Sequence, residues 1–413
     1  MNEMMFNALM DPAGAPAHPV LFLVLGVVTF ALHITAVALM LGTIGVALYG
    51  AVSKNPHAVK LAVPLAFTAK VAVGAAIVLG VAPLLFVQVI YDPFWYTSNV
   101  VSAVWAIAFL GILIVAYLML YRVQALVHKA KQAVQAMPKG AIWLALALAL
   151  VLLIVCGVIM HALTNQMLSP KEFMNWYAPG GVIDPSGTGL FSINVPRVVF
   201  FLALSMPVTA AWLYGLRRYQ LFAGNTDYDY IDWLEAFTHK LALVGSVILT
   251  LAGIAWMVCL PENQRWFTGL WAWIGLVPCG YMLAMAAIQK KRRLCTFCNY
   301  MAFIMTVIMT IVLAALREVL RYGTLAADAG WDALAYRINF DWASTVIFFV
   351  TFLVVGGSAL GYLLTLAWQA GQKQGQVTEG AGLRKLGNVA VLVLTAWVIL
   401  YFVVGVATVT TAN

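Results

Sequence analysis

Charge is what this sequence most lacks. Asp, Glu, Lys and Arg make up 9% of its 413 residues, and 64% are hydrophobic. A soluble domain carries about 25% charged residues. With a mean hydropathy of +0.95, the chain cannot furnish a water-facing surface, so lipid must be the solvent for most of its perimeter. Cysteine is scarce too, with five in all. Cys156, Cys259 and Cys279 fall inside apolar runs and read as small core residues. Cys295 and Cys298 form a C-x-x-C pair with no His after it, which excludes covalent c-type haem attachment. No second ligand pair is present to complete a zinc site, so the two are read as reduced thiols at a helix start. There is no extended soluble domain and no convincing internal repeat, which weighs against transporter folds built from related halves. The first residues carry no basic run, so no cleaved signal peptide is expected. A net charge of +8 does not point to nucleic acid, because the cations sit in short loops between apolar runs.

Those runs define the architecture. A membrane-spanning helix needs about 20 apolar residues. Ten segments qualify: 19–51, 61–91, 95–121, 140–168, 195–216, 236–260, 266–289, 297–316, 342–370 and 386–410. Their length excludes barrel strands, which run about 10 residues with alternation. The fold class is therefore an all-α integral membrane protein of about ten transmembrane helices. With the N-terminus outside, sixteen of the 23 Lys and Arg fall in cytoplasmic loops, six fall outside, and Lys70 lies within a span. The run Lys290–Arg293 and Lys373 are among the cytoplasmic sixteen. This bias places both termini outside and the chain in a bacterial inner membrane as a multi-pass protein. Residues 1–216 read as an N-terminal five-helix bundle holding the candidate haem and quinone part, and 217–413 as a C-terminal five-helix bundle. The outer loops 169–194 and 317–341 are rich in Trp, Tyr and Phe, as segments that lie on the membrane or dock a partner are.

Polar residues inside a membrane are expensive and mark functional candidates. Lys70 lies roughly 15 Å from the cytoplasmic end of the second span by helix rise. No acid lies at comparable depth, so a hydrogen-bonding partner or a wet cavity must serve it. His33 and His161 lie in the outer half, on the first and fourth spans. Two helical His at similar depth on separate helices are what axial ligation of a b-type haem iron requires; hydrogen bonding to a neighbouring helix is the alternative. At the outer interface stand Gln88, Tyr91 and Asp92 at the end of the second span, Trp95 and Tyr96 at the start of the third, Trp176 in the outer loop, and Arg197 at the start of the fifth. An aromatic belt accounts for the rings. A quinone site would use the same set: rings for the slot, Gln88 and Arg197 as donors, Asp92 as proton acceptor.

The segment around His33, the stretch Gly80-Val81-Ala82-Pro83-Leu84-Leu85-Phe86-Val87-Gln88, the run Phe94-Trp95-Tyr96-Thr97-Ser98, and the passage from Met167-Leu168-Ser169-Pro170 to Pro196-Arg197 together resemble membrane subunits similar to subunit I of cytochrome bd quinol oxidases, of the kind that accompany multihaem cytochromes c. The resemblance covers about the first 220 residues. The Gly-Arg-Gln-Pro-Trp signature of that family and acidic residues in the third span are missing. What the resemblance implies is a quinone-linked or haem-bearing subunit of a respiratory complex, without oxygen reduction. It would exchange electrons between membrane quinone and a periplasmic cytochrome c partner. Haem b, quinone and other complex subunits are the expected associates. The rival readings are a secondary transporter or ion-conducting protein with Lys70 as coupling residue, and a cofactor-free anchor.

The charge bias makes a direct prediction. A reporter active only in the periplasm should work when fused after Asn413 and stay silent when fused after Arg292, and a cytoplasmic reporter should do the reverse. Exchange of the two results would overturn the orientation.

Overall fold

The computed structural model describes residues 9–133, 138–372 and 380–411; Lys373 and Asn413 lie outside the described residues. Nine helices among the described residues are long and apolar enough to cross a membrane. They are α1 (Pro19–Val52), α2 (Pro56–Ile90), α4 (Ala103–Gln132) after the short α3 (Asp92–Val101), α5 (Lys139–Gln166), the pair α7 (Val195–Ala203) and α8 (Ser205–Phe222), α9 (Tyr228–Val258), α10 (Leu270–Lys291), α11 (Thr296–Ala329) and α14 (Ala381–Thr411). The short α6 (Phe173–Tyr177) lies in the loop after α5. The tenth expected span, 342–370, is helical but interrupted. It runs as α12 (Trp342–Val350), a π segment (Thr351–Gly356) and α13 (Gly357–Gln372). The Gly356-Gly357 pair stands where the π turn gives way to α-helix, a sequence that lets the hydrogen-bond register change cheaply.

The chain forms two compact units. The larger comprises Pro19–Tyr336 with the residues just before Ala13, and the smaller comprises Ala13–His18 with the chain from Arg337 onward. In the smaller unit, Ala15 pairs with the strand-like 337–339 stretch, donating to the Arg337 carbonyl and accepting from Asn339 N–H. Trp397 of α14 donates to the Thr351 hydroxyl in the π segment.

In the larger unit α1 and α2 pack along their length, and α1 also meets α8 and α11. Three departures from the hydropathy reading bear on the site. The expected third span is broken at Ser102, where the Val104 N–H is taken by the Gly187 carbonyl (3.1 Å) from the outer loop. Gly187 has φ +61, and a Cβ there would crowd Ala103, so glycine is what lets the loop backbone reach the helix. The fifth span kinks between α7 and α8, next to Pro207, whose ring cannot sit against the carbonyl four residues back. The eighth span does not end at residue 316. α11 continues to Ala329 and is capped by Gly330 in the left-handed region. Residues 317–329, expected in an outer loop, are helical.

The α1–α8 crossing is close because Gly42 faces the Ser205 carbonyl and the Thr209 hydroxyl, both of which a Cβ would strike. Gly45, one turn on, has open space at its Cβ position. Gly42→Ala should therefore lower stability by about 1–3 kcal/mol through overpacking. Gly45→Ala should be neutral or slightly stabilising. Thermal unfolding of both variants in one detergent measures the contrast, and equal losses would contradict the assigned packing.

Candidate functional site: a histidine–arginine cluster at one end of the bundle

The polar residues of the larger unit converge where α1, α2, α5, α7 and α11 meet. His33 of α1 directs Nδ1 at the Ala76 carbonyl of α2, 2.8 Å away. A carbonyl only accepts, so Nδ1 carries the proton and Nε2 keeps its lone pair. The ring lies against Gly80, where a Cβ would come within 2.8 Å of it. His161 of α5 is held the opposite way. Its Nε2 accepts the Asn194 backbone N–H at 3.0 Å, so its proton is on Nδ1. The Asn194 side chain in turn caps α7, accepting the Arg197 N–H at 3.0 Å. One residue thus fixes both the His161 ring and the start of the helix that carries Arg197.

Three guanidiniums surround the histidines. Arg197 is buried, donates to Asn165 Oδ1 (2.7 Å) and lies over the Trp256 ring at 5.3 Å. Its Nε has no hydrogen-bond partner among the described residues. Arg317 sits over the Phe30 ring at 4.0 Å, within electrostatic reach of His33, His161, Arg197 and Arg321. Arg321 pairs with Glu318 at 2.9 Å and lies over the Tyr91 ring at 5.4 Å. Tyr91, fully buried, donates its hydroxyl to the other Glu318 oxygen at 2.9 Å. Glu318 pairs with Arg321 and lies within electrostatic reach of Arg317, while Arg197 bonds to the neutral Asn165, so the cluster carries an excess of positive charge. A small crevice reaches it between the N-terminal part of α1 and the C-terminal parts of α2 and α11. It is narrow, about 20 Å³, enough for about one water, and is lined by Phe22, Gly26, Phe86 and Ile90 with Arg317, Glu318 and Arg321.

Arg317, Glu318 and Arg321 escaped the sequence reading. Hydropathy ends at the first charge, so they read as loop. Their spacing of i, i+1 and i+4, with no helix breaker before Gly323, was the available signal that they continue a helix and share a face.

The remaining candidates are distributed around this centre. Asp92 is buried at the start of α3, where its Oδ2 accepts the Asp11 N–H (2.9 Å) and the Tyr336 hydroxyl (3.0 Å). Tyr91 and Asp92 are adjacent in sequence but bond to different partners. Gln88 is half-buried on α2, between the crevice residues Val87 and Ile90. Trp95 is buried and Tyr96 exposed. Trp176 stacks on Phe191 within the outer loop, centroids 5.0 Å apart and planes 3° from parallel. Lys70 is elsewhere. Its ammonium donates to Gln124 at 2.5 Å and lies over the Tyr121 ring at 5.0 Å, so α4 supplies the polar partner that the sequence required.

No family model matches the chain, and no curated protein matches it. Among solved structures it is similar to a chain in the structure of bd oxidase from Geobacillus thermodenitrificans. The TM-score is 0.62 at 15% sequence identity, covering 85% of this chain and 98% of that one. The likeness is one of fold: an all-helical membrane bundle arranged as in that oxidase chain.

Asp92 sets a pH dependence. Burial pushes its carboxyl above the ordinary range, and the bonds from Asp11 and Tyr336 only partly oppose this. The folded state therefore holds this proton more tightly than the unfolded chain. Its contribution to stability is greatest below the unfolded value of about 3.9 and declines as pH rises toward the raised folded value. Asp92→Asn, which resembles the protonated acid, should flatten that decline. An unchanged pH profile of thermal stability in the variant would contradict the assignment.

Proposed function

We propose that this chain is the membrane subunit of a respiratory electron-transfer complex in a bacterial inner membrane, passing electrons between membrane quinone and a periplasmic cytochrome c partner. The observation that carries this is the His33–Arg317–Glu318–Arg321 grouping, an intramembrane site with a free imidazole nitrogen and surplus positive charge. Polar groups of this kind persist within a membrane where they serve a cofactor, an ion or a proton.

The donor set suits a b-type haem. His33 has its Nδ1 proton committed to a backbone carbonyl, the arrangement that orients a metal-binding imidazole and leaves Nε2 for iron. His161 is the second candidate ligand, and its Nε2 would have to exchange the Asn194 N–H for the metal. Arg197, Arg317 and Arg321 match the two carboxylates of a haem edge. Bound there, the group would supply one-electron transfer. The fold shared with a bd oxidase chain is consistent with this reading.

A quinone headgroup would bind at the mouth of the crevice, which must widen to admit it. Arg317 and Arg321 are placed to donate to its oxygens, and Glu318, oriented by Tyr91, to accept a proton from a quinol hydroxyl. Gln88 lies beside the crevice, and Asp92 follows Tyr91 as the outward proton acceptor. Tyr96 and Trp176 belong to the surface where the partner would dock, and the buried Trp95 packs beneath it. Met174, Val182 and Ile183 of the same loop are exposed apolar residues, as such a face would have.

The purified chain should show a b-type haem by visible spectrum and pyridine haemochrome assay, and His33→Ala should remove it. In the intact complex Glu318→Gln should cut quinol-oxidation kcat by about 10²-fold or more with KM little changed. A colourless chain that oxidises quinol at the full rate as Glu318→Gln would end the proposal.

A further inference from the structure

Cys295 and Cys298 take no part in the cluster. The sequence reading expected reduced thiols; the structure joins them as a disulfide with Cα atoms 5.3 Å apart, a separation suited to the bond. Cys295 is the N-cap of α11, and its Sγ accepts the Cys298 N–H at 3.2 Å. The turn is held independently of the sulfurs. Asn299 Nδ2 donates to the Cys295 carbonyl (2.7 Å), and Gln289 Nε2 to the Cys298 carbonyl (2.9 Å). Lys290, Lys291, Arg292 and Arg293, all exposed, precede the pair directly. Leu294 and Phe297 stand 72% and 71% exposed on either side.

A structural staple is the ordinary explanation of a disulfide, and it fits poorly. A bridge stabilises by closing a long loop in the unfolded chain, and this ring spans only residues 295–298. A zinc pair fits no better, because the described residues contain no group of three His, Cys, Asp or Glu able to hold a metal. The surroundings instead favour a thiolate. The positive end of a 34-residue helix and a backbone N–H bear on Cys295, and four exposed cations precede the pair in sequence. The face that the Lys and Arg bias assigns to the cytoplasm is one where disulfides last only in proteins that cycle them.

We propose that Cys295–Cys298 is a thiol–disulfide exchange site for a dithiol protein reductant on the face bearing Lys290–Arg293. A partner thiolate attacks Cys298 Sγ, the bond to Cys295 breaks, and Cys295 leaves as the thiolate held by the helix terminus. The partner's second thiolate then attacks the partner sulfur of the mixed disulfide and frees Cys298. Two electrons pass to the chain, Cys298 takes up a proton while Cys295 stays a thiolate, and the partner leaves as its own disulfide. Leu294 and Phe297 offer that partner an apolar footing.

The test uses the full chain in detergent. Under native conditions it is left in air or treated with thioredoxin, thioredoxin reductase and NADPH, then acid-quenched, alkylated after denaturation and weighed. The air-treated chain should take three adducts, at Cys156, Cys259 and Cys279, and the reduced chain five. After reduction, the pH profile of Cys295 alkylation should have its midpoint at least about one unit below that of exposed Cys259. Arg292→Gln with Arg293→Gln should move that midpoint upward. Five adducts without reductant, three that persist after thioredoxin, or a Cys295 profile matching Cys259 would each overturn the proposal.

Discussion

Glu318 is the carboxylate that holds Arg321 and faces Arg317 in a cluster of three guanidiniums, and one end of the larger unit is arranged around that imbalance. It pairs with Arg321 on its own helix and accepts the Tyr91 hydroxyl from the end of α2. Arg317, one residue before it, reaches the Phe30 ring on α1. Through this residue pair α11 is tied to both α1 and α2. Truncating Glu318 would leave Arg321 and Tyr91 without their partner, and an uncompensated buried charge costs far more than the pair gains. The cluster therefore serves as much to fix helix positions as to present charge. It explains why α11 must run on past residue 316, since a loop there could not hold Arg317, Glu318 and Arg321 on one face.

The histidines show how identical side chains are set to different tasks by what their backbone neighbours offer. α2 brings a carbonyl to His33 Nδ1, and the Asn194 turn brings an N–H to His161 Nε2. These two contacts choose opposite tautomers. Neither is a property of the residue or of its depth, and both depend on chain segments remote in sequence.

That is also where the sequence stopped being legible. Spans, their helical nature and the depths of His33, His161 and Lys70 follow from composition and helix rise, and the structure has helices at all ten expected places. Arg197 was recognisable because Pro196 marks a helix start. Arg317, Glu318 and Arg321 were hidden because a hydropathy window cannot tell a helix that carries charges from a loop. The partners of Asp92 come from Asp11 and Tyr336, 81 and 244 positions away, and no local pattern announces them. The depth of Lys70 calls for a polar partner without naming it; Gln124 sits just beyond the apolar stretch of α4, because both helices continue past the lengths that hydropathy assigns.

Helix length then fixes where the cluster stands. His33 is 14 residues from Pro19 and 19 from Val52, or about 21 Å and 29 Å along α1. Arg317 is 12 residues from Ala329 and 21 from Thr296, or about 18 Å and 32 Å along α11. The two helices agree, so the site lies on one level, nearer the ends that the charge bias places outside. Helix continues on both sides of the cluster, so its charges are met by protein partners: Glu318 for Arg321, Asn165 for Arg197, and the rings of Phe30 and Trp256 for Arg317 and Arg197. Polar partners such as Tyr91, Asp92 and Tyr336 can then continue the site outward.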